Sequence, residues 1–255
     1  VGTRELQQAL SRLGVPRGGV LFVHSAFRGL AREGLTPGGV LDDLEAHVGD
    51  GLLLLPTMSW RFVKAATPEF SELDTPSNVG VLTELFRTGR ATCRSLHPTH
   101  SVAGKGRDAA AFLGEHHLDE TPCAARSPFG KLVSADAWIL MLNIGFDCCT
   151  LVHHGEEIVA PDLYLRPRED METYRCRDRS GRVHLVRLRR HLLLARDYYQ
   201  FQDMLAVDGT LRVTFIGNAV CRAFRARDLH ERVVRVLSAR PDAILARPGQ
   251  RYRMM

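Results

Sequence analysis

An α/β layered fold is predicted for this 255-residue chain, and three observations predict it. Apolar runs as short as buried strands, such as Leu52–Pro56 and Ala137–Leu142, recur through the first part. Stretches with helical periodicity alternate with them up to about residue 165. From about residue 172 the texture changes to a hairpin followed by helix, strand and helix, an α+β pattern. A single domain over 1–255 is therefore expected: a layered α/β/α sheet over 1–165 and a hairpin-bearing α+β portion over 166–255.

Residues 3–14 place Leu6, Ala9, Leu10 and Leu13 on one helical face. Gly18-Gly19 turns the chain into a strand, Val20–Val23, which ends at His24-Ser25. Thr36 can cap the next helix, with Pro37 at its first position and Val40, Leu41, Leu44 and Val48 turned inward. Strand Leu52–Leu55 ends at Pro56-Thr57, and the polar, aperiodic stretch 61–78 reads as a long loop of the kind usually kept for function. Ser77 or Asn78 can cap a helix over 79–88. A short segment, Cys93–Leu96, a helix near 107–113 and a loop over 118–131 lead to a strand over 137–144 and a helix over about 150–158. Thr173–Arg177 and Val183–Leu188 flank the hairpin turn Asp178-Arg179-Ser180-Gly181. Helix 198–206, strand Leu211–Ile216 and helix 227–239 follow. Ligands of open α/β sheets bind beyond the carboxyl ends of strands. Three such ends would gather His24, Thr57 and Asp147 along one edge.

The composition, 45% apolar and 25% charged, is that of a globular protein. No stretch approaches the ~20 uncharged apolar residues of a membrane helix, and VGTRELQQAL lacks the order of a signal peptide. A soluble, cytoplasmic protein is expected. Six cysteines without CxxC spacing suggest reduced thiols and no cysteine-type zinc site. The net charge of +5, carried by residues such as Arg187, Arg189, Arg190, Arg222 and Arg225, first suggests nucleic acid. Those arginines are scattered among acids, with no nucleic-acid motif and no interleaved aromatics, which argues against that class. They would serve the phosphates of a nucleotide-type cofactor equally well.

The densest cluster of reactive side chains runs from Asp147 to Glu157. If Asp147 or Thr150 begins a helix there, both Glu156 and Glu157 share a face with His153, three and four residues on. A carboxylate beside an imidazole fixes its tautomer and raises its basicity, as a general base requires. The spacing alone does not choose between the two acids, and a helix end with solvated charges is the plainer reading. His97-Pro98-Thr99-His100-Ser101 could bind a metal, a phosphate or a substrate, or could be a turn bonded to its own backbone. His24-Ser25 is a weaker signal of the same kind. The start of helix 79–88 could receive phosphates, because helix N-termini bind anions. No P-loop and no GxGxxG is found.

Taken in order, these segments resemble the antibiotic N-acetyltransferase family, the group containing the aminoglycoside 3-N-acetyltransferases. The likeness rests on LFVHSAFRGL, GLLLLPTMSW, TPSNVGVLTELFR, RSLHPTHSVAGKG, SPFGKL and the D-x-x-T-x-x-H-x-x-E arrangement of Asp147, Thr150, His153 and Glu156. It runs from about residue 20 to 165, with a weaker echo to about 245. It implies an acetyl-CoA-dependent N-acetyltransferase acting on a primary amine of an aminoglycoside, in a fold distinct from the GNAT acetyltransferases. Antibiotic resistance is the role that follows. The resemblance makes His153 the base in preference to His154 and Glu156 its partner in preference to Glu157; a hydroxyl such as Thr150, or a backbone N–H, is the candidate donor to the developing oxyanion. By position, His24, Ser25, Arg28, Thr75, Ser77, His97, Ser101 and Val102 would meet CoA, and Trp60, Asp147 and Glu157 the acceptor. No metal is expected. The expected partners are acetyl-CoA and a small amine, without nucleic acid or membrane, and a homodimer is open.

Departures concern the acceptor. Cys148-Cys149 stands where polar residues are expected, and Arg126 brings positive charge near the substrate mouth. A polycationic acceptor needs several carboxylates, for which Asp119, Glu120, Glu157 and Asp162 are candidates. A non-aminoglycoside amine of natural-product biosynthesis is therefore the alternative substrate. Rival chemistries are a Cys148 or Cys149 nucleophile and a zinc hydrolase built on His24, His97, His100, His153 and Glu156. A non-catalytic binding protein is disfavoured by the presence of both His153 and Glu156.

Overall fold

The computed structural model describes residues 2–246. Seven strands form one sheet: Val20–Ser25 (β1), Leu52–Pro56 (β2), Cys93–Arg94 (β4), Val102–Gly106 (β5), Trp138–Leu142 (β6), Arg212–Ile216 (β9) and Ala219–Arg225 (β10). Their order is β4-β5-β2-β1-β6-β10-β9. The central three strands are parallel, with Leu21 opposite Leu53 and Trp138, while the outer strands on both sides run antiparallel. A second sheet joins Glu69–Ser71 (β3) to the hairpin of Glu172–Arg177 (β7) and Val183–Leu188 (β8). Strands from both ends of the chain thus share the main sheet.

The period of two along each central strand divides the core into two layers. Leu21, Val23, Leu53, Leu55, Leu140 and Leu142 pack on Leu6, Leu10, Val40 and Leu44 of helices Gly2–Arg12 (α1) and Pro37–Val48 (α3). Phe22, Leu52, Leu54, Ile139 and Met141 pack the other way. Their partners include Leu113 of Ala109–Leu113 (α5), Phe129 and Leu132 of Pro128–Ser134 (α6), Val152 of Leu151–Val159 (α7), and Leu229 and Val233 of Ala226–Ala239 (α10). Burying both faces makes the layered α/β/α architecture, and it explains why the central strands are continuously apolar. Thr36 caps α3 as the sequence predicts, its hydroxyl accepting from the Gly39 N–H at 3.1 Å.

Several elements differ from the sequence prediction. The stretch 61–78 contains β3, which pairs with β7 more than a hundred residues later. Strand β5 is masked by Gly104 and Gly106, yet these glycines are what the pairing requires. A Cβ on Gly106 (φ +119°) would stand 2.0 Å from the Gly51 carbonyl. Strand β10 alternates Ala219, Cys221 and Ala223 inward with Val220 and Arg222 on the less buried side, so arginines obscure it. Helix α6 lies partly inside the predicted loop 118–131; Ser127 caps it, accepting from the Gly130 N–H at 3.2 Å. The helix Val81–Gly89 (α4) takes Gly80 as its N-cap, not Ser77 or Asn78. A short helix, Pro161–Tyr164 (α8), follows α7 directly. No helix of the described residues is long and apolar enough to cross a membrane.

Candidate active site

A cavity of ≈370 Å³ opens at the carboxyl ends of β1, β2 and β6. His24 and Ser25 of β1, Pro56 of β2, and Ile144 and Asp147 beyond β6 line it, as the parallel topology requires. The start of α7 adds Thr150 and His153, and Met58, Trp60, Asn78, His100, Cys148 and Cys149 contribute to the walls. Thr57, the third predicted strand end, turns away: its hydroxyl lies 3.3 Å from the Ser101 hydroxyl and accepts from Arg94 Nε at 3.2 Å.

Helical spacing brings His153 and Glu156 together. His153 Nδ1 lies 2.8 Å from Glu156 Oε2. The other carboxylate oxygen accepts from Arg196 Nε at 2.8 Å and from the Tyr198 hydroxyl at 2.9 Å. That hydroxyl is also 3.2 Å from His153 Nδ1. Glu156 is wholly buried, whereas 20% of the His153 side chain is exposed. Burial alone would push the Glu156 carboxyl up. The adjacent imidazole of His153, then Arg196, outweigh it and hold the group well below the usual carboxylate range. Glu156 is therefore ionised, and a proton on His153 Nδ1 leaves Nε2 as the basic nitrogen of a ring that lines the cavity.

Two other histidines line the same cavity. Burial lowers His24 to about 4 and takes His100 well below its ordinary value. Neither has a carboxylate partner among the described residues: His24 Nε2 is unpaired, and His100 Nδ1 meets the Thr99 hydroxyl at 2.8 Å. Cys148 and Cys149 are lining thiols that burial pushes up to about 12, so both are protonated near neutral pH and are poor nucleophiles.

Glu157 points away from the cavity. It accepts from the Thr121 hydroxyl at 2.6 Å and the Cys123 N–H at 2.9 Å. Burial pushes its carboxyl up to about 7. Its folded-state affinity for a proton thus exceeds that of the unfolded chain, so the cost is absent below about pH 4.3 and complete above about pH 7. Glu157→Gln is expected to flatten the fall in stability between about pH 4.3 and about pH 7, by on the order of 3–4 kcal/mol. Urea unfolding across that window measures it; an unchanged slope would contradict the assignment.

The residues predicted to meet CoA separate into two groups. His24 and Ser25 line the cavity. His97, Ser101 and Val102 are completely buried and are not among the residues that line it. His97 Nδ1 accepts from the His100 N–H at 2.9 Å, and Ser101 donates to the Thr57 carbonyl at 2.8 Å. Thr75 accepts from the Ser71 N–H at 2.7 Å, and Ser77 meets the Thr83 hydroxyl at 3.3 Å. Arg28 is exposed on Phe27–Arg32 (α2). Trp60 and Asp147 do line the cavity; Asp147 accepts from the Tyr199 hydroxyl at 3.0 Å. The remaining candidate acids pair elsewhere: Asp119 with Arg126 at 3.0 Å, Glu120 with Arg168 at 3.7 Å, Asp162 with Arg189 at 2.7 Å. Asp147 is the one carboxylate among the described lining residues.

Sequence reasoning missed Arg196, Tyr198, His191 and Arg94. Arg94 is buried and ties Thr57, Ser101, Glu72 and Thr75 together. Arg94 opens the motif RSLHPTHSVAGKG, but nothing in that motif singles it out, and no local pattern marks the other three. The five-residue zinc set also does not assemble. Among the described residues, the donor triads within 4.8 Å are Cys123–Glu157–His191 and His153–Glu156–His191, and neither includes His24, His97 or His100.

The family model described as aminoglycoside 3-N-acetyltransferase matches residues 22–238. The chain belongs to that family. Within it, aminoglycoside N(3)-acetyltransferase IV of Salmonella sp is 33% identical over 165 residues, 64% of this chain and 61% of that protein. The SPbeta prophage-derived aminoglycoside N(3')-acetyltransferase-like protein YokD of Bacillus subtilis (strain 168) is 26% identical over 60% of this chain and 64% of its own length. These alignments span just under two thirds of either relative. In structure, a histidine-to-alanine mutant of aminoglycoside acetyltransferase AAC(3)-IVa in complex with a gentamicin matches with a TM-score of 0.80 and 25% identity, over 96% of this chain and 92% of that one. AAC-IIIb, solved as a binary complex with CoASH, shares the fold at a TM-score of 0.79 and 24% identity, over 97% and 98% of the two chains.

Proposed function

We propose that this member of the aminoglycoside 3-N-acetyltransferase family transfers acetyl from acetyl-CoA to a primary amine in a ternary complex. The observation that carries the reading is the buried, ionised Glu156, fixed by Arg196 and Tyr198 and bonded to His153. Among the described residues, His153 is the one cavity-lining histidine with a carboxylate partner. His153 Nε2 takes a proton from the acceptor as its nitrogen attacks the thioester carbonyl. The C–N bond forms, the C–S bond breaks, and the imidazolium returns the proton to the departing thiolate. Thr150, which lines the cavity, is the proposed donor to the tetrahedral oxyanion. Holding two substrates side by side supplies much of the acceleration. His24 and Ser25 are the proposed contacts to the CoA arm. Acetyl-CoA as co-substrate is supported by the family's chemistry, and the cytoplasm is the proposed place of action.

Aminoglycosides are the first acceptors to test, because the relatives are named for them and one is solved with a gentamicin. A specific observation favours a second reading within the same chemistry. With Asp147 alone among the described residues supplying lining carboxylate, and Met58, Val79 and Ile144 among its walls, the cavity suits an amine of lower charge. CoA release followed with a thiol reagent, across gentamicin, kanamycin, neomycin and unrelated primary amines, separates the two. Turnover with an aminoglycoside supports the first reading; turnover with other amines alone supports the second. Failure to bind acetyl-CoA would contradict both.

A further inference from the structure

We propose that His191 is a positioning residue for His153, holding the base in its working orientation through a ring stack. This inference rests on the reading of His153 as the base. The two imidazoles lie 4.2 Å apart between centroids, at 22°. Tyr198 meets the same His153 ring edge-on at 5.8 Å, so a face and an edge are both occupied. The backbone around His191 is fixed independently of the site. His191 bridges to Leu165, and Leu192 N–H donates to the Tyr164 carbonyl at 2.8 Å.

Among the described residues, Nε2 of His191 has no aligned hydrogen-bond partner. Its Nε2 is buried, and lies 2.8 Å from Glu157 Oε1 but out of hydrogen-bond alignment. Consecutive carboxylates of α7 thus stand beside the two stacked rings, Glu156 bonded to His153 and Glu157 close to His191. Burial keeps His191 neutral. When His153 takes up the acceptor's proton, the imidazolium gains a neutral π face at contact distance, an attractive arrangement for a cation. A flip of the His153 ring would give up the Glu156 bond, and the stack leaves little room for it. An aliphatic side chain could fill the same volume, but it would offer neither the flat face nor the π charge distribution.

The test compares His191→Phe, His191→Leu and His191→Ala for kcat, for KM of acetyl-CoA, and for the tautomer of neutral His153 read by nitrogen-edited NMR. Melting temperature identifies any variant that does not fold. The proposal expects Phe to keep kcat within ~3-fold, and Leu and Ala to lower it ~10–100-fold, the scale of an ångström-sized misplacement, with KM of acetyl-CoA unchanged. It expects one His153 tautomer, protonated on Nδ1, in the wild type and Phe variant, and a mixture in Leu and Ala. A Leu variant equal to the wild type in both kcat and tautomer overturns it. The NMR reading does not need turnover. If no amine is acetylated but the tautomers follow the same ranking, the positioning stands and the transferase reading fails.

Discussion

His153→Ala is expected to lower kcat by ~10²–10⁴ while changing acetyl-CoA affinity little. The expectation follows from where the side chain sits. Its Nδ1 is engaged by Glu156, and its ring lines the cavity from α7, whereas the predicted CoA contacts His24 and Ser25 line it from β1. Loss of a group that acts mainly as proton acceptor in the transition state lowers kcat and kcat/KM together. The other lining histidines offer no rescue, since burial holds His24 at about 4 and His100 well below its usual value. Steady-state kinetics with acetyl-CoA binding by calorimetry measures both quantities. A near-normal kcat would remove His153 from the role assigned to it.

Arg196→Ala is expected to damage both folding and activity. Glu156 is fully buried, and the guanidinium of Arg196, 9% exposed, bonds it at 2.8 Å while donating to the Leu192 and Leu194 carbonyls. Removing one member of such a pair strands a charge, which typically destabilises by ~3–5 kcal/mol. The stranded carboxylate would also bind a proton more readily, weakening the hold on His153 Nδ1. Glu156→Gln added to Arg196→Ala removes that charge and is expected to restore much of the stability without restoring activity. Urea unfolding of the two single variants and the double variant tests this as a thermodynamic cycle. Additive losses would show that the pair is not coupled.

The part of the site that was legible in the sequence is the part built on one helix. His153 and Glu156 are three residues apart, and helical geometry alone brings them together; the family resemblance then chose Glu156, and the structure turns Glu157 the other way. Arg196, Tyr198 and His191 come from the irregular run between β8 and the helix Tyr199–Val207 (α9), where no periodicity says which side chains turn inward. The strand ends were legible for His24 and Asp147 because parallel strands share a carboxyl edge. Thr57 was not, because a buried arginine far along the chain, Arg94, claims its hydroxyl. Composition concealed two strands for opposite reasons. Glycines that allow close backbone approach broke the apolar pattern of β5, and arginines interrupted β10.

The most direct measurement is mass spectrometry of the protein and the amine after mixing with acetyl-CoA labelled in its acetyl group. Direct transfer predicts labelled N-acetyl amine, stoichiometric free CoA and an unmodified protein at every time point. Label retained on Cys148 or Cys149 before the amine is acetylated would replace direct transfer by an acyl-enzyme, and no labelled amine from any acceptor would contradict acetyl transfer itself.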